Sequence, residues 1–135
     1  MKITNQYFQV LGALLVLAKA PSTAAQEAIC PDLRFTEIAD PNDLWNARFV
    51  ELYSSSGDCT IWQHNGKDIY FTTIFNANSG YSSQVLLTGQ SISADGFFIL
   101  CNNVDNFLSA YPTSFCDLAS SLVGSNGDDS YLVRK

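Results

Sequence analysis

Apolar positions along the chain fall into short runs rather than long helical stripes. In Phe97–Cys101 (FFILC), Phe97, Ile99 and Cys101 alternate with Phe98 and Leu100. A strand that is apolar on both faces belongs at the centre of a sheet. Phe49–Tyr53 (FVELY) repeats the pattern with one interruption, Glu51. An acid in such a run sits at a solvated edge or is hydrogen-bonded, and Arg48 or Arg34 is its expected partner. The same reading predicts strands at Leu33–Ala39, Arg48–Tyr53, Thr60–Gln63, Ile69–Phe75, Gln84–Leu87, Phe97–Cys101 and Ser130–Arg134. Turn residues recur between them at roughly ten-residue spacing. Asn65-Gly66 is the clearest hairpin signal, because both residues tolerate positive φ. Short helical turns are expected at Asn106–Tyr111 and Asp117–Val123. Short strands at even spacing predict an all-β domain, an antiparallel β-sandwich or barrel.

The N-terminus follows a different rule. Lys2 precedes an apolar stretch, Val10–Ala18 (VLGALLVLA), and small residues follow at Ser22, Thr23, Ala24 and Ala25. This is the pattern of a secretory signal peptide. It is shorter than the ~20 apolar residues of a membrane span. Residues 1–25 are therefore expected to be removed after Ala25, with no membrane span left in the mature chain and an extracellular location. All four cysteines, Cys30, Cys59, Cys101 and Cys116, lie beyond that point. An even count in a secreted chain implies two disulfides, with three pairings open. Cys101 and Cys116 flank one loop-like stretch, which favours their pairing and leaves Cys30 with Cys59.

The 135 residues carry 7 basic and 13 acidic side chains, a net charge of −6. Loss of residues 1–25 removes two lysines and no acid, giving a net charge of −8. The remaining cations, Arg34, Arg48, Lys67, Arg134 and Lys135, are scattered along the chain. Binding to nucleic acid, or to an anionic membrane, needs them clustered, so neither is expected.

Catalytic patterns are sparse. His64 is the single histidine, and its place beside the Asn65-Gly66 turn predicts an exposed residue. No G-x-S-x-G elbow accompanies it. Glu37, Glu51, Asp40 and Asp43 are the carboxylates available for glycosidase work, and no spacing fixes them in a cleft. Asp128 and Asp129 follow Asn126-Gly127 and are the candidates for calcium, without the spacing of an EF-hand. No cofactor is expected. Aromatic residues are the main binding asset. Trp45 and Tyr81 fall in predicted loops and are the candidate contacts for a protein or glycan partner.

Three blocks carry a resemblance. Phe35-Thr36-Glu37-Ile38-Ala39-Asp40-Pro41 runs into Arg48-Phe49-Val50-Glu51-Leu52-Tyr53. Leu87-Thr88-Gly89-Gln90-Ser91-Ile92 leads through Asp95-Gly96 into Phe97–Cys101, and Phe115-Cys116-Asp117 precedes Asn126-Gly127-Asp128-Asp129-Ser130-Tyr131-Leu132. In this order they resemble a lamin-tail domain, with Thr36 and Ser54 where that family's pattern has serine and asparagine. The resemblance implies an immunoglobulin-like β-sandwich over residues 30–135 and adds no catalytic residue. It implies a secreted or cell-surface, non-catalytic binding module. The competing expectation is a small secreted hydrolase, or a hydrolase accessory domain, acting on carbohydrate or phosphate esters.

Overall fold

The two runs apolar on both faces lie side by side at the centre of the largest sheet. The computed structural model describes residues 28–41, 44–77, 83–124 and 129–135. The strands are β1 (Ala28–Ile29), β2 (Arg34–Ala39), β3 (Phe49–Tyr53), β4 (Cys59–Thr60) and β5 (Tyr70–Ile74), followed by β6 (Ser83–Leu86), β7 (Ser91–Ile92), β8 (Phe97–Cys101), β9 (Leu118–Ala119) and β10 (Ser130–Arg134). Among the described residues one α-helix, α1 (Val104–Ala110), follows β8. The sheets run β2-β3-β8-β9, β10-β5-β6 and β1-β4-β7. The protein is thus mostly β, in mixed and antiparallel sheets with little helix.

Strand β3 pairs antiparallel with β8 over its whole length, from Phe49↔Cys101 to Tyr53↔Phe97. Its other edge pairs with β2, whose register shifts between Phe35 and Glu37. Val50, Leu52, Phe98 and Leu100 point inward and meet Phe71 of β5 with Cys59, Ile61 and Ile92 around β4 and β7. Residues from all three sheets therefore share one core. A second, smaller cluster packs Phe49 and Cys101 against Phe107 of α1. Phe49 meets the rings of Phe107 and Tyr111 edge-on, at 5.5 and 5.2 Å, a favoured aromatic geometry. Helix α1 starts where Asn103 caps it, its side chain accepting from the Asn106 N–H at 3.0 Å.

Both parallel pairings depart from the antiparallel expectation, and each adjoins a disulfide. Strand β1 runs parallel to β4 in the register Ala28↔Cys59, immediately before Cys30, and Cys30 is bonded to Cys59. Strand β9 runs parallel to β8 through Cys101↔Ala119, two residues past Cys116, which is bonded to Cys101. A two-residue parallel pairing does little to offset loop closure by itself. The crosslink closes the loop instead. This also corrects the helical turn expected over Asp117–Val123. Its start is held as a strand, with the Asp117 N–H donating to Ile99 O and the Ser120 N–H to Cys101 O, both at 2.9 Å.

Other boundaries move by local causes. The strand expected at Thr60–Gln63 is confined to Cys59–Thr60, because Ile61 turns to donate to Gln90 O at 2.8 Å. The Asn65-Gly66 turn forms as expected, both residues at positive φ, with His64 and Lys67 exchanging backbone hydrogen bonds. Gly96 is required by its site. It has φ +87°, and a Cβ there would lie 2.5 Å from Ser54 O. Glu51 does not meet an arginine. Its Oε1 accepts from Thr36 Oγ1 at 2.7 Å, while Arg48 pairs with Asp40 and donates to Gly124 O, both at 2.6 Å. The guanidinium of Arg34 lies over the Tyr53 ring, 5.0 Å from its centroid. Arg48 precedes β3 rather than facing across it, so its side chain ties the strand start to neighbouring loops.

Candidate functional site

A hollow opens where the segment around Cys30 and the end of β10 meet the Asn65-Gly66 hairpin. Its volume is about 320 Å³, at the lower end of ligand cavities. Three segments build it. Ile29, Cys30, Pro31 and Leu33 form one wall, held by the Cys30–Cys59 bridge and by the Cys30 N–H donating to Thr60 O at 3.0 Å. The run Ile61-Trp62-Gln63-His64 forms the second wall, with Ile69 beyond the hairpin. The third is the end of β10, Val133-Arg134-Lys135, which pairing with β5 brings alongside Tyr70.

Burial sorts these residues into floor and rim. Ile61 and Ile69 are buried, and Leu33 and Val133 pack against the same core. Trp62 is 56% exposed, an indole held out at the wall. It is exposed because β4 ends at Thr60, so Ile61 turns inward and the next side chain faces outward. Gln63 Nε2 donates to Asp68 Oδ1 at 2.9 Å, bracing the hairpin base. His64 and Lys135 are exposed. Among the described residues no Asp or Glu side chain lines the cavity. An aromatic wall over an apolar floor suits a ligand with an apolar face.

The sites expected from sequence fall elsewhere. Trp45 is 62% exposed, in a single 3₁₀ turn. It borders a smaller hollow of about 180 Å³ with Leu44, Asn46 and Asn106, apart from the Trp62 cavity. Tyr81 and Asp128 lie outside the described residues, as do Asp43 and residues 1–25. Asp129 accepts from the Asn76 N–H at 2.7 Å, which makes it a loop tie. Among the described residues no group of three His, Cys, Asp or Glu side chains is placed to hold a metal ion. Glu37 stands opposite Glu51 across β2 and β3, outside both hollows.

Among the described residues three carboxylates are shifted from their ordinary range. Hydrogen bonds from the Ser55 N–H and hydroxyl hold Asp32 below it. Hydrogen bonds from the Ser93 hydroxyl and the Phe97 N–H do the same for Asp95. Partial burial pushes Asp117 up, against the Ile99 N–H that donates to it at 2.7 Å. None of the three lines either hollow.

Trp62, His64, Arg134 and Lys135 are the residues that sequence reasoning did not assemble. Trp62 reads as a strand residue and the two terminal cations as part of a scattered set. The one local signal is an indole three residues ahead of an Asn-Gly turn. Among the described residues no helix is long and apolar enough to cross a membrane. No family model, no curated protein and no solved structure matches the chain.

Proposed function

We propose that this chain is a secreted or cell-surface, non-catalytic binding module of the lamin-tail type, folded as an immunoglobulin-like β-sandwich, that holds a protein or glycan partner at the Trp62 cavity. The observation that carries the reading is the cavity itself: an exposed indole beside an apolar floor. The shared core of the three sheets supports the sandwich. The resembling blocks support the family reading by where they fall. The first makes the β2-β3 pair, the second supplies β7 and β8, and the third supplies β10. Two disulfides are compatible with an extracellular protein.

The hydrolase alternative calls for a perturbed carboxylate in a cleft. Asp117, the carboxylate pushed upward, lies outside both hollows. The test uses the oxidised protein with 4-nitrophenyl glycosides and 4-nitrophenyl phosphate, beside glycan and peptide panels read by Trp62 emission in a Trp45→Phe background. The expected result is saturable binding with no turnover, and loss of that binding in Trp62→Ala, which lacks the reporter indole and is therefore measured by calorimetry. Turnover abolished by His64→Ala or Glu51→Gln would overturn the reading in favour of the hydrolase.

A further inference from the structure

We infer that the outer edge of β6 pairs with the β6 of a second copy of this chain, antiparallel across a two-fold axis. The inference goes beyond the binding-module reading and does not depend on it, because no residue of β6 lines the Trp62 cavity. Among the described residues β6 pairs only with β5, in a continuous register from Tyr70↔Leu86 to Thr73↔Ser83. Leu87, next in that register, donates its N–H to Ile69 O at 2.8 Å. Hydrogen-bonded and non-hydrogen-bonded pairs alternate along an antiparallel ladder. The N–H and C=O groups of Gln84 and Leu86 therefore point away from β5.

The other described edges carry devices that hinder a flat partner. A bulge between Phe35 and Glu37 breaks the edge of β2. The part of β8 outside its pairing with β9 is sealed by side chains. There the Phe97 N–H donates to Asp95 Oδ1 at 3.1 Å, the Ser93 hydroxyl donates to Phe97 O at 3.2 Å, and the Ile99 N–H donates to Asp117 Oδ2 at 2.7 Å. Strands β1, β7 and β9 have two residues each, and β10 ends on Arg134. Strand β6 has no register shift. The run from Ile69 to Ala94 around it holds no Asp, Glu, Lys or Arg, in a chain of net charge −6.

That absence of charge favours a second copy. Across a two-fold axis β6 faces itself, so a charge on it would have its like close by. Gln84 is exposed and carries both a donor and an acceptor, so it is compatible with its own copy. Leu86, 45% exposed, supplies apolar contact. The outward groups fix the register: Gln84 of one copy stands opposite Leu86 of the other and exchanges backbone hydrogen bonds with it, with Val85 at the axis. Two three-stranded sheets then join edge to edge. So short an edge buries little area, which makes the dimer weak and concentration-dependent.

Sedimentation velocity of the oxidised protein from about 10 µM to about 1 mM, with amide exchange beside it, tests the inference. The expected result is a monomer–dimer equilibrium in which the Gln84 and Leu86 amides exchange freely in dilute protein and slow as dimer forms. Gln84→Lys and Leu86→Glu should each weaken dimerisation about tenfold or more. Mixing the two variants should restore it, because the register sets one charge opposite the other. Ile38→Lys, an exposed change on β2, should leave the dimer in place. Far-UV circular dichroism checks the fold of each variant. A monomer at every concentration overturns the inference. Slow exchange at Gln84 and Leu86 in that monomer would mean that the chain covers its own edge, and free exchange would leave the edge to an extended segment of another protein. A dimer indifferent to both β6 charges overturns it as well and places the contact elsewhere.

Discussion

Asp32 ties the segment after Cys30 to the loop after β3, accepting from the Ser55 N–H at 3.1 Å and the Ser55 hydroxyl at 2.9 Å. Those bonds favour its charged form and hold its carboxyl below the ordinary 3.8. A depressed folded value contributes stability above the unfolded value, and that contribution is lost as the pH falls through the folded one. Asp117 has the opposite sign. Its raised value means that its contribution is present below 3.8 and is lost as the pH rises through the folded value. Asp32→Asn should therefore lower Tm at pH 7, with the difference closing as the pH drops below 3.8. Asp117→Asn should raise Tm at pH 7 by about 1–2 °C and match the parent in acid, because an amide oxygen still accepts from Ile99. Thermal melts of both variants from pH 3 to 7 check the pair of signs. Parallel pH profiles for the two would refute the assignment.

Among the elements, the two-residue strands depend most on their surroundings. Strand β1 has a two-residue pairing with β4 and the Cys30–Cys59 bridge beside it. The bridge closes a loop of 29 residues, worth about 3.6 kcal/mol in the chain-entropy account. It also holds the wall that carries Ile29, Cys30 and Pro31. The double substitution Cys30→Ser, Cys59→Ser should cost about 2–5 kcal/mol in urea unfolding and weaken ligand response at Trp62. The matching pair at Cys101 and Cys116 should also lower stability, since its loop spans 15 residues, while leaving that response in place under native conditions. Equal loss of response in both pairs would show that the Trp62 wall does not depend on its neighbouring bridge. The strands Phe49–Tyr53 and Phe97–Cys101 are legible from sequence because both of their faces are apolar. Ser91–Ile92 and Leu118–Ala119 carry no such pattern, and their pairing is decided by what the long strands and the disulfide place beside them.

At the scale of the whole molecule, three small sheets behave as one unit only if their common core holds them. Phe71 is fully buried in β5 and packs on Tyr131 of β10 at 5.2 Å between ring centres, within the cluster that includes Leu52, Phe98 and Ile92. Phe71→Ala should cost about 3–5 kcal/mol, a large share of the 5–15 kcal/mol typical of a domain. Far-UV circular dichroism and Trp62 emission should still report one coincident transition, moved to lower urea. Separate transitions would mean that the cavity end unfolds apart from the four-stranded sheet.

The sequence by itself determined the β class, the two central strands, the Asn65-Gly66 turn and the number of disulfides. These follow from alternation, turn chemistry and parity, all of which act over a few neighbouring residues. Short loop closure also favoured Cys101 with Cys116 and left Cys30 with Cys59, the pairing observed. Tertiary structure alone decided the parallel pairs, the Thr36 partner of Glu51 and the cavity. Trp62 and Lys135 stand 73 positions apart in the chain and face one hollow because β10 returns to pair with β5. A surface site of that kind needs no local periodicity. Its chemistry arises from which loop ends the sheets bring together, and that is set by packing across the core.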